Sequence, residues 1–185
     1  MSATPWMTIL PGWHPIVVHF PLALVVTATL FLIAARLLRH ERTVATLATV
    51  GTWNLCLGAL GALFALGTGL AAVLHLHVSA AAHQAISLHV KWAMFTTLTL
   101  VLLAVWRGAG TAQESRPSWL FILVLVAATA ALVTTGYRGG QNVYRYGVGV
   151  KQDSRLPADA TGRIAPGAER DGRKLPYSPT VSADL

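Results

Sequence analysis

Residues 44–74 read VATLATVGTWNLCLGALGALFALGTGLAAVL, a stretch without one charged side chain. A helix needs about 20 apolar residues to cross the hydrocarbon core of a bilayer, so this stretch is long enough to span a membrane. The same criterion predicts four membrane helices, at about residues 16–38, 44–74, 80–106 and 119–137. The sequence therefore predicts an all-α integral membrane protein, built as a four-transmembrane-helix bundle within residues 1–150.

Composition supports a membrane class and separates the C-terminal tail from it. The chain is 54% hydrophobic and 11% charged, which is too apolar for an ordinary soluble domain. Residues 151–185 differ, because they are rich in Pro, Gly, Ala and charge and have too few large apolar groups to form a core. We expect an extended tail there, which lies across a partner outside the membrane.

Basic residues predict the orientation of the bundle. The two turns that join the first helix to the second and the third to the fourth hold arginines, whereas residues 1–15 and 75–88 hold no Lys or Arg. Under the positive-inside rule the arginine turns face the cytoplasm. The expected location is the bacterial inner membrane, with both termini in the periplasm. The arginines concerned are Arg36, Arg39, Arg42, Arg107 and Arg116.

Small residues line one face of the second predicted helix. Three-four spacing places them on a single stripe, which ends in His75. Such a stripe allows close approach of a neighbouring helix, and it could also leave a slot for a flat macrocycle. The stripe consists of Gly51, Asn54, Gly58, Gly61, Ala65, Thr68, Ala72 and His75.

Six of the seven histidines fall at the same end of the predicted helices. Histidine is a common ligand of haem iron and of transition metals, so this clustering is the functional signal of the chain. A histidine that bonds only to a carbonyl or a hydroxyl is the alternative at each position. The six are His14, His19, His75, His77, His83 and His89.

Depth in the membrane selects a first pair among them. His14 and His19 are five residues apart and differ by about 140° around a helix, so they need not serve one site. An intramembrane imidazole is a functional candidate, and His19 and His89 are the deepest. Ser79 is a plausible N-cap for the third helix, which would then carry His83 and His89.

The resulting hypothesis is a bis-histidine haem b site with His19 and His89 as axial ligands of the iron. His14, His75 and His83 are alternates or ligands of a second site. Arg138 or Lys91 could neutralise the haem propionates at the outer surface. The sequence leaves open whether one haem or two are bound.

Two segments resemble the signatures of a known family. The opening stretch HPIVVHFPLAL at 14–24 and the closing stretch GGQNVYRYGVGV at 139–150 resemble the bacterial membrane family called domain of unknown function 2231. His89 is similar to a histidine that this family has at the start of its third helix. The closing stretch departs from the family pattern at Tyr146, where a histidine is common. The resemblance implies a four-helix membrane protein, often encoded near redox proteins.

The expected function is that of a membrane b-type cytochrome subunit, an electron-transfer subunit rather than a stand-alone enzyme. It would carry electrons between the quinone pool and a periplasmic redox protein or a larger membrane complex, and a quinone is a further candidate ligand. One alternative is a non-catalytic anchor or assembly subunit of a respiratory or redox complex without its own cofactor. Another is an external copper or zinc site. The sequence shows no nucleophile–base arrangement, phosphate loop or nucleic-acid motif.

The tail gives the first testable prediction. Deleting residues 151–185 should release the external partner, because the tail would tether it, while the haem content stays unchanged. Co-purification of the partner and haem quantitation on the truncated protein measure both effects. A fully bound partner after the deletion would refute the tether.

Overall fold

The structure is a computed structural model that describes residues 13–74, 79–108 and 116–148, and in these residues it is all-helical. The four helices are α1 (His19–Leu37), α2 (Glu41–Val73), α3 (Ala80–Gly108) and α4 (Trp119–Tyr146). A helical turn over 13–17 precedes α1, so the first membrane-length segment is Trp13–Leu37. All four segments are long and apolar enough to cross a membrane, as the sequence predicts.

Each helix packs against the next along the chain, and α4 closes the ring against α1. The helices α1 and α2 run antiparallel, because the end of α1 meets the start of α2 while residue 14 meets residue 69. We call the end that holds His14 and His89 the histidine end of the bundle. The opposite end, which holds Arg36, Arg107 and Arg116, is the arginine end.

The small-residue stripe of α2 packs directly against α1. A Cβ placed at Gly58 would lie 2.8 Å from Cγ2 of Val25, and one at Gly51 would lie 2.8 Å from Cγ of Leu32. Both glycines are buried. Of the two interpretations of the stripe, close helix packing is therefore the one seen over this part of α2.

Side chains of Leu fill the middle of the bundle, and hydroxyl groups tie its helices together. Four leucines, one from each helix, are fully buried: Leu32, Leu55, Leu100 and Leu125. Thr29 of α1 and Thr129 of α4 share a hydrogen bond of 2.8 Å. Thr96 of α3 and Thr135 of α4 share one of 3.2 Å. Interhelical bonds of this kind contribute about 0.6 kcal/mol each in membranes.

Charged groups at the arginine end link the helices. Arg107, at the end of α3, is 5% exposed, and its Nε donates to the hydroxyl of Thr52 in α2 at 3.2 Å. Arg116 forms an ion pair of 3.2 Å with Glu41. The guanidinium of Arg36 lies 4.8 Å from the ring centre of Trp119, in cation–π geometry.

Helix boundaries agree with the sequence at most ends and differ at the last. Ser79 caps α3, since its hydroxyl accepts from the amide of Ala82 at 3.4 Å, as predicted. The helix α4 runs to Tyr146 instead of about residue 137 and ends at Gly147, whose φ is 63°. Hydropathy detects only the apolar part of a helix, and α4 continues as a polar helix past that part. Gly139 and Gly140 therefore lie inside α4 and do not form a sharp exit from it.

Filling the closest approach of α1 and α2 should destabilise the bundle. We expect Gly58→Leu to cost about 1–3 kcal/mol, because the stiff Val25 side chain cannot yield the space. Thermal unfolding followed by circular dichroism measures the effect. Gly67→Leu is the matched control in the same helix, since nothing lies within 4 Å of a Cβ at Gly67. Equal melting temperatures for the two variants would contradict this packing.

Candidate functional site

The turn before α1 brings His14 against α2. Its Nδ1 lies 3.0 Å from the carbonyl oxygen of Ala65 and 3.2 Å from the hydroxyl of Thr68. A carbonyl can only accept, so Nδ1 carries the proton and donates it. The neutral ring then has an unprotonated Nε2, which is the nitrogen free to act as a ligand.

A glycine provides the seat for the His14 ring. A Cβ at Gly69 would lie 2.8 Å from Cε1 of His14 and 3.2 Å from its Nδ1. Helical side chains lean toward the preceding turn, so a larger residue at 69 would cover the Ala65 carbonyl. The absence of a side chain at Gly69 thus allows the imidazole to reach its acceptor.

His89 comes from α3 and lies against α4. A Cβ at Gly139 would lie 3.1 Å from Cε1 of His89. The backbone of Thr135 is a hydrogen-bonding neighbour of the ring, although the buried Nδ1 has no partner in strict hydrogen-bond geometry among the residues the structure describes.

His14 and His89 lie at the same end of the bundle, and the charge of His14 acts on His89. They come from the first and third membrane segments, whose main helices α1 and α3 are not neighbours in the ring. Each imidazole lies against a glycine of a further helix, Gly69 for His14 and Gly139 for His89.

A cation stands beside this pair. The guanidinium of Arg138 lies 5.4 Å from the ring centre of Trp92, and its charge also acts on His89. Its Nε is buried and has no hydrogen-bond partner within the described part of the chain. Arg138 thus offers a positive charge and at least one spare donor next to the imidazoles.

The other predicted site residues lie elsewhere. His19 is exposed, and its Nδ1 donates to the carbonyl of Pro15 at 2.6 Å. His83, in the first turns of α3, and Lys91 are also exposed. His75 and His77 lie outside the described residues. The pairing of His19 with His89 stays a prediction, and the charge of His14 is the histidine charge that acts on His89 among the described residues.

Several residues of the site escape a reading of the sequence. Thr68 was part of the stripe but had no assigned role, and Gly69 lay off the stripe. Nothing in the sequence marks Trp92 as a residue of this site, and the guanidinium of Arg138 lies 5.4 Å from its ring centre. The sequence does indicate the two glycines, because Gly69 and Gly139 lie in the parts of α2 and α4 at the histidine end, where an imidazole ring needs space.

The donor set defines the chemistry that the site can support. An imidazole that donates Nδ1–H to a backbone carbonyl and presents Nε2 is the usual arrangement of a metal-bound histidine. Within residues 13–74, 79–108 and 116–148 no three His, Cys, Asp or Glu side chains form a group that could hold a metal ion. A haem iron needs fewer protein ligands than a free metal ion, because its macrocycle provides four nitrogens and an imidazole can serve as a further ligand.

Fold and site together define a four-helix membrane bundle with a histidine pair at one end. The chain belongs to the family described as predicted membrane protein DUF2231, whose model matches residues 11–152. This match confirms the resemblance seen in the sequence. Comparison with curated proteins and with solved structures gave no match.

The His14 seat predicts a specific loss of stability. Thr68→Val removes the hydroxyl that bonds both the Ala65 carbonyl and His14, so we expect a cost of about 0.5–1.5 kcal/mol. Thr27→Val is the matched control, because the Thr27 hydroxyl bonds the Ala23 carbonyl of its own helix. Chemical or thermal unfolding in detergent compares the two. A Thr68 variant no less stable than the Thr27 variant would contradict the role of this hydroxyl.

Proposed function

We propose that this protein is a b-type cytochrome subunit of the bacterial inner membrane, with His14 and His89 as the axial ligands of one haem b. The observation that supports the proposal is the placement of these two imidazoles at one end of the bundle, each against a glycine, where the charge of His14 acts on His89. His14 has its Nδ1–H fixed to the Ala65 carbonyl at 3.0 Å, which presents Nε2 as the ligating atom. This pair replaces His19 and His89 as our preferred assignment.

Three features of this end support the haem proposal. The buried Nδ1 of His89 has no well-aligned hydrogen-bond partner within the described bundle. The glycines beside the two rings leave space for the imidazoles themselves. The pair also lies at the end of the bundle, away from the buried leucines of its middle, so a group bound there need not displace that core.

Bis-histidine haem supplies one-electron chemistry and, with both axial positions filled, does not readily bind oxygen. The protein would hold the two imidazoles in position through α1, α2, α3 and α4. Arg138, which is held over Trp92, would neutralise a propionate. A haem held by two histidines would thus favour electron transfer over oxygen activation.

Orientation gives this site its place in the membrane. Arg36, Arg107 and Arg116 gather at the opposite end of the bundle, and the positive-inside rule assigns that end to the cytoplasm. The haem would then lie near the periplasmic surface, between the quinone pool and a periplasmic redox partner.

A non-catalytic anchor is the second candidate, and one observation favours it. The stripe of α2 is filled by α1 side chains, and the leucines of the middle are fully buried. This tight interior suits a subunit that only docks a partner. The two functions differ in one measurable property, which is the presence of a reducible haem.

Spectra of purified full-length protein and its variants test the proposal. We expect a reducible b-type band in the wild type and a loss of most haem in His14→Ala and in His89→Ala, because each removes one axial ligand. His19→Ala should keep its haem if His14 is the ligand and lose it if His19 is. Pyridine-haem quantitation and low-spin spectra measure these outcomes.

The absence of a b-type band from wild-type protein made with ample haem would overturn the cytochrome function and leave the anchor. Haem loss in His19→Ala with retention in His14→Ala would restore the original pair. Circular dichroism of each variant excludes unfolding as the cause.

A further inference from the structure

The exposed side of the first membrane segment carries a single ionisable residue. Within Trp13–Leu37 the exposed side chains are apolar apart from His19. Its neighbours Ile16 and Phe20 are 72% and 58% exposed. Six residues separate His19 from Trp13, so it lies about 9 Å along the helix from that end, near the boundary between headgroups and hydrocarbon.

One hydrogen bond fixes which nitrogen of His19 is available. Nδ1 lies 2.6 Å from the Pro15 carbonyl oxygen, and because a carbonyl only accepts, Nδ1 carries the proton. In the neutral form of the ring Nε2 is then unprotonated and can act as an acceptor. An acceptor at this boundary can bond to water or to a hydroxyl group supplied by the membrane phase.

We propose that Nε2 of His19 accepts a hydrogen bond from the hydroxyl of a lipid-soluble hydroquinone bound against Ile16 and Phe20. The inference deepens and rests on the proposed function, since an electron carrier facing the quinone pool needs such a ligand. A hydroquinone matches the surface: its hydroxyl is a donor for Nε2, and its ring can pack on the exposed Phe20. His14 lies five residues away on the same segment, which places this surface close to the histidine pair.

Binding can be measured without any redox step. Full-length protein with ¹⁵N-labelled histidine is placed in phosphatidylcholine nanodiscs and titrated with a decyl-tailed hydroquinone kept reduced. We expect a saturable shift of the His19 Nε2 resonance. Binding isotherms for variants are corrected for partitioning into protein-free discs.

Two substitutions at one position separate the ring nitrogens. His19→Asn keeps a donor near the position of Nδ1 and lacks the outward acceptor, so its affinity should fall about tenfold, as for one lost hydrogen bond. His19→Gln can place its amide oxygen near the position of Nε2 and should lose less. His83→Asn, at another exposed histidine of the same end, should bind as the wild type does.

The contrary results are distinct. Equal affinity in wild type, His19→Asn and His83→Asn would overturn the proposal. So would a full Nε2 shift in phosphatidylglycerol discs without hydroquinone, because the donor would then be a lipid hydroxyl. The titration does not require haem, so the two proposals can fail separately. A protein that lacks haem but binds hydroquinone contradicts only the cytochrome function. A protein that has haem but does not bind hydroquinone supports the cytochrome function and contradicts the hydroquinone site.

Discussion

The close approach of α1 to α2 is the constraint on which the rest of this bundle depends. It is possible because Gly51 and Gly58 leave their Cβ positions to Leu32 and Val25. In lipid the hydrophobic effect does not drive helices together, so packing of this kind and interhelical hydrogen bonds must hold them. The same register continues toward the histidine end, where it sets His14 against Gly69. A property of the structural interface thus determines where the first imidazole lies.

Once seated, His14 is fixed by a backbone acceptor rather than by another ionisable group. The Ala65 carbonyl lies within α2, and its oxygen also accepts from the imidazole and from the hydroxyl of Thr68. A bond to a helix carbonyl cannot be lost by protonation of the partner, in contrast to a bond to a carboxylate. The ring orientation is therefore built into the helix, which is the requirement for a pre-organised ligand.

The sequence predicts the fold well because membrane helices depend on properties that composition reports. Four apolar segments, the Ser79 cap and the inward stripe of α2 all agree with the structure. The site is harder, since hydropathy gives the depth of a histidine but not its direction. The angle of 140° between His14 and His19 does indicate opposite faces, but only the packing of Gly69 shows which one faces inward. Likewise nothing in the pair Gly139-Gly140 shows that the first seats His89 and the second meets nothing within 4 Å.

Similar arginine contacts occur at the two ends of the bundle, but the neighbouring groups differ. Each has an arginine over a tryptophan, Arg36 on Trp119 and Arg138 on Trp92, and in each the buried Nε has no hydrogen-bond partner among the described residues. An arginine nitrogen can only donate a hydrogen bond, so the buried Nε of Arg36 at the arginine end suits an acceptor such as an anion. At the histidine end the charge of Arg138 acts on the imidazole of His89, and an imidazole nitrogen can ligate a metal. An anionic group that also carries a metal, as a haem with its propionates does, could accept a hydrogen bond from the arginine and bind an imidazole nitrogen at its metal. This combination of an arginine with imidazoles, more than the number of histidines, distinguishes the histidine end from the arginine end.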